Sequence, residues 1–351
     1  MILLEPAATN RYGGWREDWL AATDEPVLEP DLPIVDAHHH LWHLNANRYL
    51  LDEWLGDVAS GHAVRASVFV QCGAFYRGHG PDTLRPVGET EFVNGVAAMT
   101  ASGAYGDHLA CAGIVGFADL TLGEAVEDVL TAHLAAGGGR FRGIRHAAAW
   151  DAAEAVHNSS SNPPPGLYRD PTFRRGFARL AALGLSFDAW LYQFQLADLL
   201  DLARAFPAAT IVVDHVGGIV GIGPYAGRHA EFFPAWRAAM RELAGCANVQ
   251  VKLGGLGMKL GGFGFETGAR APGSDALAER WRPYVETCIE AFGAERCLFE
   301  SNFPVDKHAC SYRVLWNAFK RLAAGASAAE KAALFHDTAA RVYRLELPQA
   351  G

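Results

Sequence analysis

The chain has 351 residues; half are apolar, 20% are charged, and 30 basic against 39 acidic side chains give a formal charge of −9. That composition excludes a disordered chain, which needs low hydrophobicity and high charge. The acidic balance argues against nucleic-acid binding, which needs clustered basic residues. No apolar run approaches the roughly 18 residues of a membrane span, so no membrane partner is expected. The N-terminus lacks a basic head followed by an apolar stretch, and the six cysteines are scattered with no C-x-x-C. A cytoplasmic protein with reduced thiols is therefore expected.

In chain order, residues 1–31 read as an arm and 32–351 as one domain. Short β-branched and aromatic runs follow at 34–38, 66–71, 111–117, 141–146, 185–191, 210–216, 249–253 and 297–301. Most are continuously apolar, which marks strands buried on both faces in a parallel sheet. Amphipathic helical patterns lie between them at 124–136, 172–183, 195–206, 232–243 and 281–292, and two more, 312–324 and 328–345, close the chain. Eight strands alternating with helices fit an α/β fold of the (β/α)8 TIM-barrel class. The segments entering each strand are short. Those leaving it, 77–90, 147–170, 217–231 and 254–279, are long and rich in Gly, Pro and Ser. In such a barrel these long loops gather at the C-terminal face, where active sites form.

The strongest chemical signal is Asp36-Ala37-His38-His39-His40 at the end of the first strand. Strand residues two apart share a face, so His38 and His40 point together into the barrel mouth while His39 faces away. Two imidazoles so placed suit one metal ion or one substrate oxygen. His215 ends the sixth strand ahead of Gly217-Gly218 and reaches the same height. His146 and Arg145 end the fourth; Arg145 suits a carboxylate clamp because its planar fork binds two oxygens, and either residue could equally be an ion-pair member at the barrel mouth. Asp188 with Trp190 on strand five and Lys252 on strand seven fit barrel-layer positions, although Asp188 is also a candidate substrate contact, as are Trp150 and Glu89 on the strand-four and strand-two loops. No G-x-S-x-G elbow or H-E-x-x-H helix occurs, which removes the serine-hydrolase and zincin readings.

The D-A-H-x-H segment, R-G-I-R-H at Arg142–His146, D-H-x-G-G at Asp214–Gly218 and S-N-x-P at Ser301–Pro304 together resemble the amidohydrolase-2 branch of the amidohydrolase superfamily, in its lactonase-like group. The resemblance implies a TIM-barrel hydrolase acting on a small-molecule substrate, most simply the lactone or cyclic ester of a small polar or carboxylated compound. It implies metal ligation by His38, His40 and His215, with zinc favoured, manganese as the alternative, and members that dispense with metal. His215 also falls among the catalytic residues. The group's strand-eight aspartate, its proton acceptor, falls here on Asn302, a catalytic candidate whose amide cannot take a proton from water but can orient it or touch a metal. Glu300 lies two residues deeper and is expected not to reach; Asp306, where the chain folds back after Pro304, is the better base, with Glu89 or Glu91 as further carboxylates. Three other readings stay open: a metal-dependent non-oxidative decarboxylase, a cyclic-amide hydrolase, and a binding barrel without catalysis. The apolar residues of the terminal helices would permit a homodimer.

Overall fold

The computed structural model describes residues 14–347 apart from 45–46, 157–158 and 160, so parts of the expected arm and of the strand-four loop lie outside the described residues. Eight parallel strands form one sheet in chain order: β1 (Ile34–His39), β2 (Val64–Val70), β3 (Leu109–Gly116), β4 (Phe141–Arg145), β5 (Ser186–Ala189), β6 (Ile211–Val213), β7 (Val249–Leu253) and β8 (Cys297–Phe299). Every residue of β1, β5, β6, β7 and β8 is buried, as continuous apolar runs require when helices cover one face and the barrel interior the other.

The ring closes where the chain leaves β8. Asn302 N donates to His38 O at 2.8 Å, His40 N donates to Phe303 O at 2.8 Å, and His39 pairs with Phe303. Closure thus brings the two sequence ends of the barrel, and the chemical residues each carries, side by side.

Below the mouth, Val35, Ala37, Ala66, Val68, Val115, Val212 and Leu298 pack with Ala339, Val342 and Tyr343 of the C-terminal segment. The expected final helix over 328–345 is broken into Ala328–Ala332, a π-helical turn at Ala333–Asp337 and Thr338–Val342. Phe335 in that turn lies 4.7 Å from Phe299 of β8, between ring centroids.

One expected loop is shorter than the pattern suggests. Residues 77–90 run into a helix at Val87–Ala101, which carries the chain from β2 to β3. Its residues are apolar or small nearly all round, so no amphipathic period betrays it. The loop after β7 likewise ends in a helix at Ser274–Phe292. The described part of the N-terminal arm staples two mouth loops: Trp15 Nε1 donates to Pro304 O at 3.2 Å and Trp19 Nε1 to Gly268 O at 2.9 Å.

Candidate active site

His38 and His40 converge. Their Nε2 atoms stand 3.2 Å apart, while His39 turns away, taking Ser67 Oγ at 3.0 Å and stacking on Trp54 at 4.0 Å between centroids. His40 Nδ1 donates to Val70 O at 2.7 Å, which leaves its Nε2 bare. His215 lies beside them, its ring centroid 4.7 Å from that of His38. Its backbone turns through φ 55°, and Val216, Gly217 and Gly218 continue in the left-handed region. The D-H-x-G-G segment is therefore a sharp turn that aims the imidazole, held at a strained non-glycine position. Gly255 is needed for the same ring: a Cβ there would stand 2.4 Å from His215 Cγ.

Glu300 lies deep, as its place on the strand implies, but its partners are not legible from depth. It is fully buried, and its carboxylate spans two histidines, Oε1 at 2.6 Å from His215 Nδ1 and Oε2 at 2.9 Å from His38 Nδ1. Oε1 takes the N–H of His215, which fixes that ring's tautomer and points its Nε2 away from Glu300, whereas His38 Nδ1 stands between Oε2 and the Lys252 ammonium. Burial opposes its charge, but His215 and His38 hold the carboxyl down at about 2. Its depth below the rim is what puts it on the Nδ1 side. A Cβ on Gly254 would meet Glu300 Cγ at 2.4 Å, so the Gly254-Gly255 pair after β7 is a signal that was available in the sequence.

Beneath the histidines lies a closed ionic layer. Lys252 Nζ donates to Asp188 Oδ2 at 2.6 Å and reaches Asp214 Oδ1 at 3.0 Å, with His38 Nδ1 also at 3.0 Å. Tyr343 OH, from the C-terminal plug, donates to Asp188 Oδ2 at 2.8 Å. Burial works against the Lys252 charge, yet Asp188, Asp214 and Glu300 raise its pKa. Burial likewise opposes Asp214, but Lys252 and His38 hold it well below the carboxylate range. Asp188 is pushed up by burial to about 6. Asp188 is thus part of this floor, the barrel-layer role its strand position suggests, and not the candidate substrate contact, because Lys252 and Tyr343 occupy it from within the barrel.

Arg145 takes the ion-pair role and not the clamp role. Its Nη2 is bound by Gln71 O, and its Nη1 stands 3.3 Å from His38 Nε2 and 3.5 Å from Asp214 Oδ2. The fork is consumed inside the site and cannot serve as an open bidentate clamp; only its buried Nε lacks a partner. His146 accepts from Leu120 N at 3.2 Å through Nδ1, and burial lowers its pKa to about 4. Trp150 is half-buried, its carbonyl taking Gln195 Nε2 at 2.5 Å. Trp190 stands edge-on to His215 at 4.9 Å and joins Tyr192, Ala149, Val156 and Val220 in an apolar cluster over that side of the mouth.

The two candidate rim carboxylates differ from the floor. Asn302, at φ 53°, donates its Nδ2 to Asp306 Oδ1 at 2.8 Å, and Gly257 N donates to Asp306 Oδ2 at 2.8 Å. Burial pushes Asp306 up to about 7. The chain does fold back after Pro304, and Asn302 grips the Asp306 carboxylate. Glu89, on the first turn of Val87–Ala101, accepts from Cys72 N at 2.9 Å and Ala74 N at 3.0 Å; burial pushes it up to about 7. Glu91 is exposed and paired with Arg77 at 3.1 Å, outside the site.

These residues fit a divalent cation. Two nitrogens bound tetrahedrally to zinc at about 2.0–2.1 Å stand roughly 3.3 Å apart, close to the 3.2 Å between the Nε2 atoms of His38 and His40. Burial, with Lys252 nearby, lowers His38 to about 4, and burial holds His40 well below the usual range, so both rings are neutral. Among the described residues, donor atoms of His38, Asp214 and His215 lie within 4.8 Å of one another, a group that adds Asp214 to the expected ligands and does not include His40. Asp188, Asp214 and Glu300 against Lys252 and Arg145 leave one negative charge uncompensated.

A family model described as amidohydrolase matches residues 35–345. A Sinorhizobium fredii protein, y4mH, carried as uncharacterized, is 36% identical over 339 residues, covering 90% of this chain and 99% of its own. An L-fucono-1,5-lactonase of Burkholderia multivorans is 29% identical over 329 residues, covering 90% of this chain and 97% of its own. Among solved structures, an amidohydrolase from Burkholderia multivorans with bound zinc superposes with a TM-score of 0.68 at 28% identity, covering 89% of this chain and 99% of that one.

Proposed function

Since the chain belongs to the amidohydrolase family, we propose that it hydrolyses a lactone or related cyclic ester of a small polar compound, by addition of water to the ring carbonyl. The observation that carries this is the convergence of His38 and His40 at 3.2 Å, with Glu300 fixing His38 and His215 from behind, next to the Asn302–Asp306 pair. The lactonase relatives and the zinc-bound homologue support the reading.

His38, His40, His215 and Asp214 would hold a zinc ion, which supplies Lewis acidity toward a carbonyl oxygen and lowers the pKa of water to about 7; manganese suits the mixed nitrogen and oxygen set as well. The remaining work falls to the chain. Asp306, half ionised near neutrality, takes the proton of the attacking water. Asn302 orients Asp306 instead of the water. Arg145 sets a guanidinium charge beside His38, where the carbonyl oxygen gains negative charge during addition. His146 and Trp150 meet the substrate's polar substituents, and Trp190 offers its ring face to the apolar edge of the sugar-like ring.

Proton release from a panel of sugar lactones and carboxylated lactones tests this, with metal content measured on the same protein. Ring opening by the wild type, lost in His38→Asn and Asp306→Asn, is the expected result. Carbon dioxide release from aromatic acids with no lactone opening would overturn it in favour of decarboxylation.

A further inference from the structure

The exit of β2 organises three side chains in succession. Val70 O takes His40 Nδ1 at 2.7 Å, Gln71 O takes Arg145 Nη2, and Cys72 N and Ala74 N both donate to Glu89 Oε1, at 2.9 and 3.0 Å. Glu89 therefore stands one residue beyond Arg145 along the same five-residue template. Its position is built in: a Cβ on Gly88 would stand 2.6 Å from Arg77 N and from Phe75 O, so only glycine lets the helix start press Glu89 onto the strand exit. The residue is 1% exposed, and its second oxygen, Oε2, is buried with no partner. An orphaned carboxyl oxygen costs free energy unless it is protonated or meets a ligand.

Resting on the lactone-opening reading above, we propose that Glu89 is the general acid that protonates the departing ring oxygen, with Asp306 as the base. The water oxygen bonds to the carbonyl carbon and its proton passes to Asp306. The bond from that carbon to the ring oxygen then breaks, and the Glu89 Oε2 proton moves to the ring oxygen, which leaves as a hydroxyl. The product carboxylic acid ionises, and exchange with solvent returns one proton to Glu89 and removes one from Asp306. Burial that keeps Glu89 protonated up to about 7 agrees with this role. Arg145, Cys72 and Tyr76 are the charged or titratable groups acting on it.

The test uses leaving groups of different basicity. An aliphatic δ-lactone must expel a strongly basic alkoxide, whereas dihydrocoumarin expels a phenoxide with a pKa of about 10 and needs far less help. Glu89→Gln retains an oxygen for both backbone N–H groups and removes only the acid. It should lower kcat/KM on the aliphatic lactone by about 10²- to 10⁴-fold while changing dihydrocoumarin opening less than about fivefold. Equal losses on both, or no loss on either, would overturn the role. Should the variant not fold, the wild type alone decides: its kcat across aryl and alkyl esters should depend only weakly on leaving-group pKa, and a steep dependence overturns the proposal. A wild type that opens neither lactone removes the lactonase reading itself.

Discussion

The floor of the barrel mouth and its rim use the same residue types to opposite ends. On the floor, Asp188, Asp214 and Glu300 are pinned by Lys252, His38, His215 and Tyr343 through contacts of 2.6–3.0 Å. On the rim, Asp306 and Glu89 receive N–H donors but no opposing cation in direct contact, and burial pushes both up to about 7. A buried carboxylate stays charged only if a cation meets it. The difference separates Asp214 and Glu300, held ionised at any working pH, from Asp306 and Glu89, which can exchange a proton near neutrality, with Asp188 at about 6 between them.

The sharpest way to break the contrast is on the floor. Lys252→Met would leave Asp188 and Asp214 buried without their shared cation, and thermal or denaturant unfolding should show a loss of about 3–5 kcal/mol. Combining it with Asp188→Asn should recover part of that loss, because one of the stranded charges is then gone.

The rim should respond in activity first. Asp306→Asn is expected to lower kcat on any opened lactone by about 10²- to 10⁴-fold with the fold intact by circular dichroism. Glu89→Gln should change stability with a defined sign. A buried acid raised from 4.5 to about 7 binds its proton more tightly in the folded chain than in the unfolded one, so wild-type stability falls as pH rises through that window. The variant should therefore gain on the wild type by up to about 3 kcal/mol at pH 8, with the gain vanishing near pH 4, in paired denaturation curves. The smallest effect is expected at the plug. Tyr343→Phe removes one hydrogen bond to a carboxylate, about 1.5–3 kcal/mol, and leaves Lys252 in place.

Much of the barrel was legible because buried parallel strands read as unbroken apolar runs, and β7 was found to the residue. The helix Val87–Ala101 was not, since a helix apolar on nearly all sides carries no period. That error placed Glu89 on a loop, when it stands on a helix start. The alternation rule correctly separated His39 from His38 and His40. Depth along the strand also set Glu300 below the rim, but it does not say which ring nitrogen a carboxylate meets. Of the two readings of Arg145, free guanidinium geometry suggests the ligand clamp, whereas Gln71 O, His38 and Asp214 had already taken the fork. Such competition among partners exists only once the ring of strands has closed.

The pH dependence of kcat/KM for opening one lactone tests the division of labour most directly. The account predicts a bell with both limbs near pH 7, the acidic limb lost in Asp306→Asn and the alkaline limb lost in Glu89→Gln. A wild-type profile flat from pH 5.5 to 8.5 would contradict it.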